Sequence, residues 1–117
     1  MADIEKYEAA GINYKKGLER FMGKEDVYNK YLGAFLYDGS FEEFCAGVEV
    51  NDMDMAEKAL FTLRGTIGNL SMDRLLAAID AAIAGVRSKK SDDEIDKLIG
   101  EVNNAYHMAC DAISSQM

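Results

Sequence analysis

Five residues within one short stretch have the types and spacing to recognise a partner: Lys58, Phe61, Arg64, Gly65 and Gly68. At roughly 100° per residue they gather on one side of a helix. Phe61 supplies an apolar ring there, and Arg64 a planar guanidinium fork suited to carboxylates or phosphoryl groups. Lys58 adds a positive charge able to steer an acidic partner and contact it at the rim. The two glycines each cost a helix about 1 kcal/mol relative to alanine. That cost is explained if another surface must approach the backbone closely. None of the five is a nucleophile, so the chemistry they suggest is recognition.

Groups that make or break bonds are scarce elsewhere. The sequence has no phosphate-cradling glycine loop and no serine or cysteine nucleophile elbow. Di-metal helical bundles use inward glutamates with Glu-x-x-His pairs, yet the single histidine, His107, has Asn104 three residues before it. His107 falls roughly 120° from the centre of its helix's apolar stripe, which predicts an ordinary surface imidazole. Cys45 and Cys110 belong to no CxxC motif and lie among apolar residues, so both are expected as buried free thiols. The carboxylates mostly sit at helix starts or on solvated faces. The expectation is a protein that is not an enzyme and holds no metal or cofactor.

The candidate residues belong to a helix over Asp54–Met72. Ala56, Ala59, Leu60, Leu63, Ile67 and Leu70 cluster within about 60° of Leu63 on the wheel and form its buried side. Phe61 lies about 160° away, with Asp54, Glu57, Lys58, Arg64, Gly65, Gly68 and Met72 around it. Upstream, residues 3–10 suggest a short helix broken by Gly11, and residues 12–23 a lead-in helix that covers one end of the core. Residues 24–50 read as one long bent helix with Val27, Tyr31, Ala34, Phe35, Phe41, Phe44, Cys45 and Val48 on its apolar side. Ser40 and Glu43 have capping-box spacing at the bend. Asn51 or Asp52 can cap the central helix, and Ser71 a helix over 72–88. Ser91-Asp92-Asp93-Glu94 is a second capping box, opening a last helix over about 92–115. Arg87, Lys89 and Lys90 suit the negative end of the preceding helix. No segment alternates with period two, so no strand is predicted.

Composition agrees with a helical domain. The chain lacks proline, is 49% hydrophobic and carries a formal net charge of −8. This length predicts one domain, 1–117, with a real core. The acidic balance disfavours nucleic acid and anionic membranes. No apolar run approaches the roughly 20 residues of a membrane span, and the N-terminus lacks a signal-peptide core. A cytoplasmic, free-standing protein is the expectation.

The stretch from Ala56 to Leu70, reading Ala-x-Lys-Ala-Leu-Phe-Thr-Leu-Arg-Gly-Thr-Ile-Gly-Asn-Leu, resembles the signature of histidine-containing phosphotransfer (HPt) domains. That family's motif is His-x-Leu-Lys-Gly, and the matching frame here is Phe61-Thr62-Leu63-Arg64-Gly65. Gly17 to Gly23, followed by Glu25-Asp26-Val27-Tyr28, is similar to the family's lead-in. Leu32, Phe35 and Leu36 fit its first long helix, and Leu75 the leucine after the central turn. The resemblance spans roughly residues 11–88, with a compatible last helix.

The resemblance implies an all-α, antiparallel, up-down four-helix bundle with a short N-terminal lead-in helix. It implies a partner, the receiver domain of a response regulator, and a relay that passes phosphoryl groups between receiver aspartates. By position Arg64 matches the motif's lysine and Gly65 its glycine, while Phe61 stands where the phosphoaccepting histidine belongs. Phenylalanine has no lone pair to accept a phosphoryl group. Thr62 is rotated about 100° toward the flank. The expectation is a pseudo-HPt protein of two-component phosphorelay signalling that docks on receivers without carrying phosphate. Lys58, Phe61, Arg64, Gly65 and Gly68 are its predicted contact residues. Two alternatives remain: a helical interaction or oligomerisation module, pairing with itself as a homodimer through the exposed apolar face, and a phosphocarrier working through His107.

Overall fold

The computed structural model describes residues 3–117. Those residues form seven helices and no strand. They are α1 (Ile4–Ala9), α2 (Tyr14–Arg20), α3 (Glu25–Phe35), α4 (Ser40–Glu49), α5 (Met53–Asn69), α6 (Asp73–Arg87) and α7 (Asp92–Ser114). Helices α4 and α5, α5 and α6, and α6 and α7 pack as consecutive neighbours, and α3 lies against α7.

The reversals share one device. After α4, α5 and α6 a single residue takes a left-handed conformation: Asn51 (φ 56), Ser71 (φ 58) and Lys89 (φ 52). The next amide then reaches back to the helix's third-last turn position. Asp52 N–H donates to the Gly47 carbonyl at 2.7 Å, Met72 to Ile67 at 3.1 Å, and Lys90 to Gly85 at 3.2 Å. This six-to-one bond is the Schellman pattern. It stops each helix while satisfying a carbonyl that the helix itself leaves open.

Side-chain caps start two of the long helices as expected. Asp52 Oδ1 accepts the Met55 amide at 3.0 Å, and Ser91 Oγ accepts that of Glu94 at 3.3 Å. Two other expected caps are absent. Ser71 is part of the left-handed turn, so Met72 takes the N-cap position of α6 without a side-chain bond. Ser71 is buried instead, its Oγ unpartnered, while its carbonyl accepts the Asn13 amide at 2.8 Å. Ser40 does not cap α4 either; its amide is bonded by the Asp38 carboxylate at 2.8 Å.

That Asp38 contact corrects the long bent helix over 24–50, which is two helices. After α3 the chain leaves the helix at Leu36 and re-enters at Ser40. The apolar side of α3 is also turned from the expected one. Tyr28, Leu32 and Phe35 are buried, whereas Tyr31 and Ala34 are exposed. Tyr28 can sit inside because its hydroxyl donates to the Leu70 carbonyl at 2.7 Å, which removes the penalty for burying it.

The core runs the length of the molecule, whose extents are 44 × 23 × 22 Å. The predicted inner side of α5, from Ala56 to Leu70, is buried throughout. Phe41 of α4 stacks on Tyr106 of α7, with ring centroids 3.6 Å apart. A second aromatic cluster joins α1, α2 and α3: Tyr7 stacks on Tyr14, which tilts against Tyr28, at 5.1 Å each. The Arg74 amide donates to the Gly11 carbonyl at 3.1 Å, so α1 and α2 are fastened onto the α5–α6 turn as a lead-in. Cys45 is exposed, not buried, because Phe41, Phe44 and Gly47 take the inner side of α4; Cys110 is half-buried. Among the described residues no helix is long and apolar enough to cross a membrane.

Candidate functional site

The outer side of α5 follows from its inner side. Once Ala59, Leu60, Leu63 and Ile67 are committed to the core, Phe61 must face outward, and it is 42% exposed. Lys58, Arg64 and Gly65 are exposed beside it and Gly68 is half-buried, so one face holds all five predicted residues. Met72 is not part of this face. The helix ends at Asn69, and the left-handed Ser71 turns Met72 into the core.

The glycines leave open space. A Cβ built on Gly65 or Gly68 meets no atom within 4 Å, so neither glycine is needed for packing inside the chain. By contrast, a Cβ on Gly47 would come within 2.8 Å of the Ala56 backbone nitrogen. The helix bears the cost of two unforced glycines on the side that carries an exposed aromatic ring.

Helix α6 adds residues that sequence reasoning missed. Arg64 Nε donates to Asp80 Oδ1 at 2.6 Å, and Arg87 Nε to Glu57 Oε1 at 3.1 Å. The Arg87 guanidinium carbon also lies 5.0 Å from the centre of the Phe61 ring, a cation–π arrangement. In both ion pairs the residue numbers sum to the same value, as an antiparallel seam requires. Arg87 and Asp80 are seven residues apart on α6, and Glu57 and Arg64 seven apart on α5. Two ion-pair rungs, about 10.5 Å apart, therefore bracket Phe61. Helix periodicity finds each row of charges; the register that joins them depends on the length of the α5–α6 turn.

Two hollows adjoin the site. A shallow hollow of about 270 Å³ lies beside the ring, lined by Asp54, Glu57, Lys58 and Phe61. A larger cleft of about 510 Å³ opens on the neighbouring flank, where Thr66 and Asn69 of α5 face Phe21 and Tyr31. His107 is exposed as expected, but its ring neighbours are Phe41 and Tyr106, neither of them on α5. Thr62 is exposed and its hydroxyl donates to the Lys58 carbonyl at 3.2 Å. Among the described residues no group of three or more His, Cys, Asp or Glu side chains is placed to hold a metal ion. Comparison with the models of known protein families, with curated proteins and with solved structures finds no match to this chain.

Proposed function

We propose that this chain is a docking protein of two-component signalling, an HPt-like domain that binds receiver domains and carries no phosphate. In this reading α3 and α4 together stand for the first helix of that family's up-down four-helix bundle, α5, α6 and α7 are the other three, and α1 and α2 are its lead-in. One observation carries it: Phe61 stands exposed one and two turns before two glycines that the fold does not require, in the frame where the family places its phosphoaccepting histidine. Phe61 would fill the space of that ring against the receiver. Gly65 and Gly68 let the receiver's active-site edge approach the backbone.

Arg64 uses only its Nε toward Asp80, leaving both terminal nitrogens for the receiver's acidic pocket or its phosphoryl group. The ion pair is half-exposed and worth at most about 1 kcal/mol, so it yields easily to a better partner. Occupying the receiver without accepting phosphate would shield a phosphorylated aspartate, or block a competent relay protein.

An amide chemical-shift titration with receiver domains tests this directly. The expected result is perturbation confined to residues 54–72 and to neighbouring Asp80 and Arg87, abolished by Arg64→Glu. Unchanged affinity in that variant, or no shifts with any receiver, would overturn the reading. A Phe61→His variant adds a gain of function. Its ring nitrogen should take the phosphoryl group from a phosphorylated receiver, releasing the aspartate carboxylate and leaving an acid-labile label on the domain.

A further inference from the structure

The four charges around Phe61 are arranged as a rectangle of alternating sign. On α5 Glu57 is negative and Arg64 positive; across the seam Arg87 is positive and Asp80 negative. Like signs therefore occupy the diagonals. A two-fold axis lying in the plane of this face and running across the seam sets each charge opposite its counter-sign on a second copy and Phe61 opposite its own mate. We propose that this face pairs with itself, joining two copies of the chain across the α5–α6 seam with Phe61 at the centre.

Three further observations favour a second copy as the occupant. The first is net charge. The chain carries −8, so two copies repel over most of their surface, but the four seam charges sum to zero, as do Asp54 and Lys58 beside them. An acidic protein meets itself most easily at a neutral patch. The second is hydrogen-bonding capacity: each arginine spends only its Nε within the chain, so its terminal nitrogens can reach a carboxylate of the other copy without breaking the internal rung. The third is relief. Gly65 and Gly68 on α5, and exposed Ala77 and Ala84 on α6, keep the surroundings low, so Phe61 can reach its symmetry mate. An isologous contact of this kind closes on itself and makes dimers, not fibres.

The molecule's longest side measures 44 × 23 Å, barely enough for the roughly 800 Å² per partner of a standard interface. The dimer is accordingly weak, and it competes with any receiver for the same face.

Sedimentation equilibrium of the full chain between about 10 μM and 1 mM should show the mass rising toward that of a dimer. Two variants with uniform faces then test the geometry. One combines Glu57→Arg with Asp80→Arg, the other Arg64→Glu with Arg87→Glu. Each alone should stay monomeric, and an equimolar mixture should form a heterodimer. Phe61→Asp is the single-site check and should weaken association at least about tenfold, since it sets two carboxylates against each other. A wild-type chain that stays monomeric across the range overturns the proposal, as does dimerisation of either uniform-face variant alone. A heterodimer that fails to form on mixing also overturns it. A monomer that still shows receiver-dependent shifts would leave the docking function standing, so the two ideas fail separately.

Discussion

Helix α5 has glycine in contact with one side and glycine embedded in the other, and the two kinds do opposite things. On its inner side Gly47 of α4 lets the helices touch, with no room for a Cβ against Ala56. On its outer side a Cβ on Gly65 or Gly68 would meet no atom within 4 Å. The inner glycine is explained by the fold. The outer pair weaken a helix that would form better with alanine, and nothing inside the chain compensates. The difference separates residues that answer to packing from residues that answer to something outside the molecule.

The inner side should respond most strongly. Leu63 is fully buried, and Leu63→Ala should cost about 2–5 kcal/mol in denaturant unfolding, since the removed methyls leave a cavity. A loss below about 1 kcal/mol would mean that this side is not the core. Gly47→Ala comes next. Its Cβ would meet backbone rather than a flexible side chain, so α4 and α5 must move apart, at about 1–3 kcal/mol. If the variant is as stable as the parent, the close approach of α4 and α5 is wrong.

The tyrosine end of the core provides the next contrast. Tyr28→Phe leaves the Leu70 carbonyl without its buried donor and should cost about 1–3 kcal/mol. The same cluster predicts alkaline unfolding. Burial, with the neighbouring Tyr14 adding to it, pushes the Tyr7 hydroxyl from its ordinary value of 10 up to about 12. Burial raises Tyr14 and Tyr28 as well. The folded state then holds protons that the unfolded chain releases, so this stabilisation is complete below pH 10 and drains away as pH rises toward about 12. Phenolate absorbance from the buried tyrosines should appear together with loss of helical circular dichroism. Their ionisation while the helices remain intact would contradict the burial.

How much of this was legible in the sequence follows from the same physics. The inner side of α5 was readable because six apolar residues repeat at helical spacing, and the outer side because Phe61 breaks that spacing. The faces of α3 were not. Tyrosine suits either environment, so a helical wheel cannot choose between Tyr28 inside and Tyr31 outside; the Leu70 carbonyl decides, and it lies on another element. The break between α3 and α4 was marked by Asp38 and Gly39, but whether a chain bends or stops there depends on what each half packs against. Arg87 was read as a helix-end charge. Its place over Phe61 is a matter of register between two helices, which no single-helix pattern contains.

The smallest effect is the most telling, because its sign reverses. Gly65→Ala and Gly68→Ala each put a methyl into open space on a helix, with no positive φ to forbid it. Each should therefore stabilise the isolated domain, by about 0.5–1 kcal/mol, through helix propensity and a less flexible unfolded chain. If the outer face is a docking surface, the same methyls stand between it and its partner. Stability and binding must then move in opposite directions: a higher unfolding midpoint, and weaker chemical-shift perturbation by a receiver or weaker self-association. Packing glycines cannot behave this way, since losing the fold and losing the interaction go together for them. Should the double variant gain stability and keep its binding unchanged, the glycines serve neither the fold nor a partner, and the docking face would have to be sought elsewhere on the molecule.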